Sequence, residues 1–75
     1  MSQQERTNRI AYFNCCIQAF AFRFRISARA AYRYLKNFLG MDFLYQYYEA
    51  EHTQSIDDAV SDLIMVCARN GGHLQ

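Results

Sequence analysis

The chain has no proline and no tryptophan, and it has glycine only at Gly40, Gly71 and Gly72. Without proline nothing forces a break inside a helix, and the sparse glycine suits helices joined by short links. Three cysteines cannot all pair, Cys15 and Cys16 are adjacent, and there is no C-x-x-C. A disulfide framework is thereby excluded, and reduced, partly buried thiols in a cytoplasm are expected. The amino terminus, Met1-Ser2-Gln3-Gln4-Glu5-Arg6, is polar and lacks an apolar signal core. No apolar run approaches the roughly 18–20 residues that cross a bilayer, so a soluble cytoplasmic protein without a membrane role is expected. Acid is also scarce, but only in one half. Residues 1–40 hold a single acid, Glu5, against seven bases, a net of +6.

Residues 41–75 reverse the balance, with six acids against Arg69 for a net of −5. The overall charge of +1 hides this polarity. Such sorting bears on partners and self-association, not on the fold. At 75 residues there is room for one domain with one core, with residues 71–75 as a loose tail. Six Phe and six Tyr exceed what so small a core can hold. The surplus belongs on the surface, where aromatic rings beside arginine are typical of protein interfaces.

Hydrophobic spacing predicts an all-α, compact four-helix domain. Ser2-x-x-Glu5 has the form of a capping box, followed by Ile10, Phe13, Ile17, Phe20 and Phe24 at helical spacing, which predicts a first helix over 3–24. Ser27 caps a second helix, 28–39, with Ala28, Ala31, Tyr32, Leu35, Phe38 and Leu39 as its apolar face. Gly40 is expected to close it in the left-handed conformation. Asp42 would cap a third helix, 43–51, carrying Phe43, Leu44, Tyr47 and Tyr48. His52-Thr53-Gln54 forms a link, and Ser55-x-x-Asp58 caps the last helix, 56–69, with Ile56, Ala59, Val60, Leu63, Ile64 and Cys67 inward.

Candidate sites are few. Arg23, Arg25, Arg29, Arg33 and Lys36 follow one another without an acid, and Arg29, Arg33 and Lys36 share one face of the second helix. That face either meets an anionic partner or is neutralised by Asp57, Asp58 and Asp62 of the last helix. Nucleic acid is rejected as a partner. In a helix-turn-helix reading the recognition helix would be Asp42 to Glu51, with three acids and no base. Glu49-x-x-His52 has the spacing of di-iron ligands, but those sites need a second such pair and further glutamates. No metal or other cofactor is expected. There is no glycine-rich phosphate loop, no G-x-S-x-G, and no base placed beside a mid-helix cysteine, so no enzyme and no small-molecule substrate are expected. The candidate partner-binding residues are Arg29, Arg33, Tyr45, Tyr48 and His52. Around His52 the reading leaves open whether His-Thr-Gln is functional or a good inter-helix link.

One family resembles this succession. Ile10-Ala11-Tyr12-Phe13, Cys16-Ile17, Ile26-Ser27, Ala30-x-Tyr32-x-x-Leu35, Phe38 through Leu44, Tyr48 with His52-Thr53-Gln54-Ser55, and Asp62-Leu63-Ile64 are similar to DUF3791, a family of short helical bacterial proteins of unknown function. Here the chain is richer in Arg and Phe around residues 20–25 than members often are. Genes of the family often neighbour those of an ADP-ribosyltransferase-like family. The resemblance implies an antitoxin-like partner of such a protein and brings no catalytic residue with it. The leading expectation is a non-catalytic protein-interaction module. The alternative is a structural homo-oligomer, a dimer without a separate partner.

Overall fold

The computed structural model describes residues 2–74. Five helices follow in order: α1 (Gln3–Phe24), α2 (Ala28–Asn37), α3 (Gly40–Gln46), α4 (Tyr48–Glu51) and α5 (Ile56–Arg69). The domain is all-α, and no strand occurs among the described residues. α1, with 22 residues, sets the long axis of a 36 × 22 × 21 Å body. α2 and α5 lie against it, and α3 packs on both of them.

Serine caps start the three longest helices. Ser2, Ser27 and Ser55 are extended, and their hydroxyls accept from the amides of Glu5, Ala30 and Asp58 at 3.1, 3.0 and 3.1 Å. Each bond satisfies an amide that the first helical turn cannot, and is worth about 1 kcal/mol. Asp57 and Asp58 at the start of α5 and Arg69 at its end complement the helix dipole.

α1 ends without glycine. Arg25 takes the left-handed conformation (φ 57°), Ile26 N–H donates to the Ala21 carbonyl at 3.0 Å, and Arg25 N–H donates to that of Phe22 at 3.3 Å. This is a Schellman closure with arginine in the position glycine usually fills.

The next turn corrects the sequence reading. α2 stops at Asn37 instead of residue 39, and Leu39, not Gly40, is left-handed (φ 68°). Gly40 is the first residue of α3 and is buried. A Cβ there would lie 2.8 Å from Leu35 Cδ2 and 3.2 Å from Cys67 Sγ. Glycine is needed at this point for the close approach of α3 to α2 and α5, so the turn falls to its neighbour. Asp42 consequently sits within the first turn of α3 and caps nothing. The single helix expected over 43–51 is two, because Tyr47 leaves helical geometry at φ −108°, ψ 23°. That kink lets α3 face the core with Met41 and Leu44 while α4 turns Tyr48 and Glu51 toward α1.

The largest fully buried side chains are Cys16 and Phe20 of α1, Leu35 of α2, Leu44 of α3, and Val60, Leu63 and Cys67 of α5. The buried stripe of α1 is Cys16, Ile17, Phe20 and Ala21, and Ile10, expected in it, is 54% exposed. Ile10 lies on the amino-terminal half of α1, outside the buried stripe.

Of the segment read as a loose tail, Gln75 lies outside the described residues. Gly72 is buried with its amide on the Cys67 carbonyl at 2.8 Å, and Leu74 N–H donates to the Tyr34 hydroxyl at 3.2 Å. Replacing Tyr34 by Phe removes that acceptor. The expected result is a loss of about 1 kcal/mol, with faster amide exchange confined to Leu74 and its neighbours.

Candidate functional site

The candidate residues fall on two parts of the surface, with Tyr45 between them. Tyr48 and His52 join a cluster between α1 and α4. Their rings stack at 4.5 Å with 6° between planes. Tyr12 meets both edge-on, at 5.5 Å from Tyr48 and 6.5 Å from His52. The Arg9 guanidinium lies 4.2 Å over the Tyr48 ring and donates to Glu49 Oε1 at 2.9 Å. Glu5, Asn8, Arg9, Tyr48, Glu49 and His52 line a depression of about 330 Å³.

His52 also closes α4. Its Nδ1 lies 2.8 Å from the Tyr48 carbonyl, which can only accept, so Nδ1 carries a proton. The Thr53 hydroxyl donates to the Ala50 carbonyl at 2.7 Å. Gln54 Nε2 donates to Glu51 Oε2 at 2.9 Å and to Asp62 Oδ2 at 3.3 Å. Each side chain of the His-Thr-Gln link thus has a partner within the fold. Glu49 bonds Arg9, and His52 bonds backbone, so the Glu-x-x-His spacing is occupied by other contacts. Among the described residues no group of three or more His, Cys, Asp or Glu side chains could hold a metal ion.

Behind this cluster lies a residue the sequence did not single out. Glu51 is 5% exposed, and its Oε1 is buried without a hydrogen-bond partner. Burial first, and then the neighbouring Asp62 carboxyl, lift its pKa from the ordinary 4.5 to about 7. Tyr12 presents its hydroxyl to the same interior, also without a hydrogen-bond acceptor, and burial raises its pKa. Burial likewise raises Cys16, and lifts Cys67 to about 11. Both thiols are therefore protonated near neutrality and poorly suited to nucleophilic attack.

The second part is the outer face of α2 with the adjoining side of α3. Arg29, Tyr32, Arg33, Lys36 and Asn37 line a shallow hollow of about 530 Å³. Tyr32 and Tyr45 are 42% and 51% exposed. The Tyr45 ring meets Phe13 of α1 edge-on at 5.0 Å, and Phe13 in turn meets Tyr48 at 5.8 Å. Burial, then its neighbours Tyr32 and Asp42, push the Tyr45 hydroxyl above its ordinary pKa. Arg29, Arg33 and Lys36 form no ion pair with Asp57, Asp58 or Asp62. The one ion pair among the described residues is Arg9–Glu49. Phe22, near the end of α1, is 86% exposed and borders a second hollow with Arg23, Arg25 and Ile26.

The structure thus brings Tyr48 and His52 together and leaves Arg29 and Arg33 on another face, with Tyr45 between the two, in contact with Phe13. No helix among the described residues is long and apolar enough to cross a membrane. No curated protein and no solved structure matches the chain. The family model described as a protein of unknown function (DUF3791) matches residues 11–70, from the aromatic turns of α1 through the end of α5. With most of its length so matched, the chain belongs to the DUF3791 family.

Proposed function

We propose that this protein is a non-catalytic, cytoplasmic interaction module whose α2 face binds an acidic protein surface. The observation that carries this is the cation set Arg29, Arg33 and Lys36, exposed around half-exposed Tyr32 with no carboxylate paired to any of them. Unpaired surface cations beside accessible tyrosine supply both steering and hot-spot contacts. Tyr45 extends that surface. Tyr48 and His52 serve the fold first, because their rings stack on each other and meet Tyr12 edge-on, and His52 Nδ1 bonds the Tyr48 carbonyl. In a bacterial setting the partner that fits the family resemblance is a neighbouring ADP-ribosyltransferase-like protein, which this chain would cover as an antitoxin does.

The test is capture of tagged chain and its partner from native cells, repeated with Arg29→Glu/Arg33→Glu. The double reversal should weaken the complex by at least about 30-fold, equivalent to about 2 kcal/mol. Folding stability should stay within about 0.5 kcal/mol, as both side chains are exposed. Full retention of the partner by the reversed protein would rule out the α2 face.

A second reading is a homo-oligomer. It is favoured by exposed Asp57 and Asp58 on α5, which are as unpaired as the α2 cations, and by half-exposed Tyr47 and Met65. An antiparallel pair would join the two charge faces. Sedimentation separates the readings: an electrostatic dimer dissociates as salt rises, whereas a module awaiting another protein is monomeric throughout.

A further inference from the structure

Glu51 is held where a carboxylate is hard to keep. It ends α4, is 5% exposed, and has one oxygen without a partner. Its other oxygen and Asp62 Oδ2 take the two hydrogens of a single amide, that of Gln54, at 2.9 and 3.3 Å. One amide bridges two acids from different elements, α4 and α5, across the link that joins them. The groups facing Glu51 are the hydroxyl of Tyr12 and the thiol of Cys16 from α1, the amide of Gln54 from the link, and the carboxyl of Asp62 from α5. None is a cation. The guanidinium of Arg9 bonds Glu49 through Nη2 and lies over the Tyr48 ring, while its Nε is buried without a partner.

Two anions sharing one neutral donor repel each other, and Glu51, at 5% exposure, has little water to screen its charge. A proton on one of them removes the repulsion and turns it into a second hydrogen bond. We propose that Glu51 and Asp62 share one proton beside Gln54, and that its loss releases α4 and the 52–55 link from α5. The device goes beyond partner binding on α2 and does not depend on it. Its consequence lies at the Arg9–Tyr48–His52 surface, which is ordered while the proton is bound and loosened once it leaves.

The direction follows from linkage. Glu51 binds its proton more tightly folded (about 7) than unfolded (4.5). The stabilisation is complete below the unfolded value and is lost as pH rises through the folded one. One proton is released on unfolding within that window, so the unfolding constant rises about tenfold per pH unit there and levels above it.

The test uses the full chain with carboxyl-¹³C labelling, followed from about pH 4 to about pH 9, with urea unfolding and amide exchange at each step. A Glu51 midpoint near neutrality is expected, with exchange at Glu51, His52 and Gln54 accelerating across it relative to Leu63. Glu51→Gln, which keeps the shape and needs no proton, should lose the tenfold-per-unit slope. Asp62→Asn should move the Glu51 midpoint down and serves equally if Glu51→Gln does not fold. A Glu51 midpoint in the ordinary range of about 4–5 overturns the proposal. So does a slope unchanged in both variants, or exchange at 48–55 that simply follows α5. Stabilisation of the deprotonated protein by added calcium or magnesium and its reversal by chelator would also overturn it, assigning the pair to a cation.

Discussion

Replacing Phe20 by Ala is expected to remove most of the stability of this protein. Phe20 is fully buried at the meeting of α1 and α2, 4.8 Å from the Phe24 ring and 5.8 Å from that of Tyr34. Truncating a buried phenylalanine costs about 3–5 kcal/mol, part from lost transfer energy and part from the cavity. A domain of this size holds about 4–11 kcal/mol in total. The variant should show a urea midpoint near or below half that of the wild type, and a melting temperature lower by about 15 °C or more. A loss under about 1.5 kcal/mol would mean that the ring is replaceable there and that the core is centred elsewhere.

The second large effect is expected at Gly40, for the opposite reason. A methyl group must displace Leu35 Cδ2, which would lie 2.8 Å away, as well as Cys67 Sγ at 3.2 Å and Leu35 Cβ at 3.3 Å. Leu35 and Cys67 are themselves buried, so neither has open space to move into. Gly40→Ala gains helix propensity of about 1 kcal/mol, which offsets part of the strain and leaves a net loss of about 1 kcal/mol. Gly40→Val has no such compensation and adds two branches against the same walls, for a loss of about 3 kcal/mol. The graded series, read by denaturant unfolding, distinguishes tight packing from a need for left-handed backbone. If backbone freedom were the requirement, alanine and valine would cost alike, and Asn would rescue both.

Gly40 also marks where local reading stops. The serine caps at 2, 27 and 55, the run of apolar positions over α5, and the length of α1 depend on neighbours within a turn, and all are visible in the chain. A glycine after an apolar helix equally well means a left-handed end. Only the approach of Leu35 and Cys67 shows that this one serves packing and that Leu39 takes the turn. The same holds for Tyr47, whose kink divides the third helix so that two faces can be buried. Nothing within four residues of Tyr47 signals it.

The candidate sites divide in the same way. That Arg29, Arg33 and Lys36 share one face of α2 follows from their spacing, but the chain alone leaves open whether α5 neutralises it, which depends on how the two helices pack. A surface place for Tyr45 follows from the excess of aromatics. Glu51 was not legible, since an acid between Ala50 and His52 in a polar stretch reads as solvated. Its burial arises from α1 and α5, and its neighbour Asp62 is eleven residues away. The Arg9–Glu49 contact joins residues forty apart and has no local signature either.

The central claim is that the unpaired α2 face is the protein's working surface. The most direct measurement is to record amide and arginine side-chain resonances of the labelled chain before and after adding its purified partner. The account predicts perturbations at Arg29, Tyr32, Arg33, Lys36 and Tyr45, with Arg9 and His52 little changed and the binding weakened by salt. Perturbations centred on Arg9, Tyr48 and His52, with α2 silent, would contradict it.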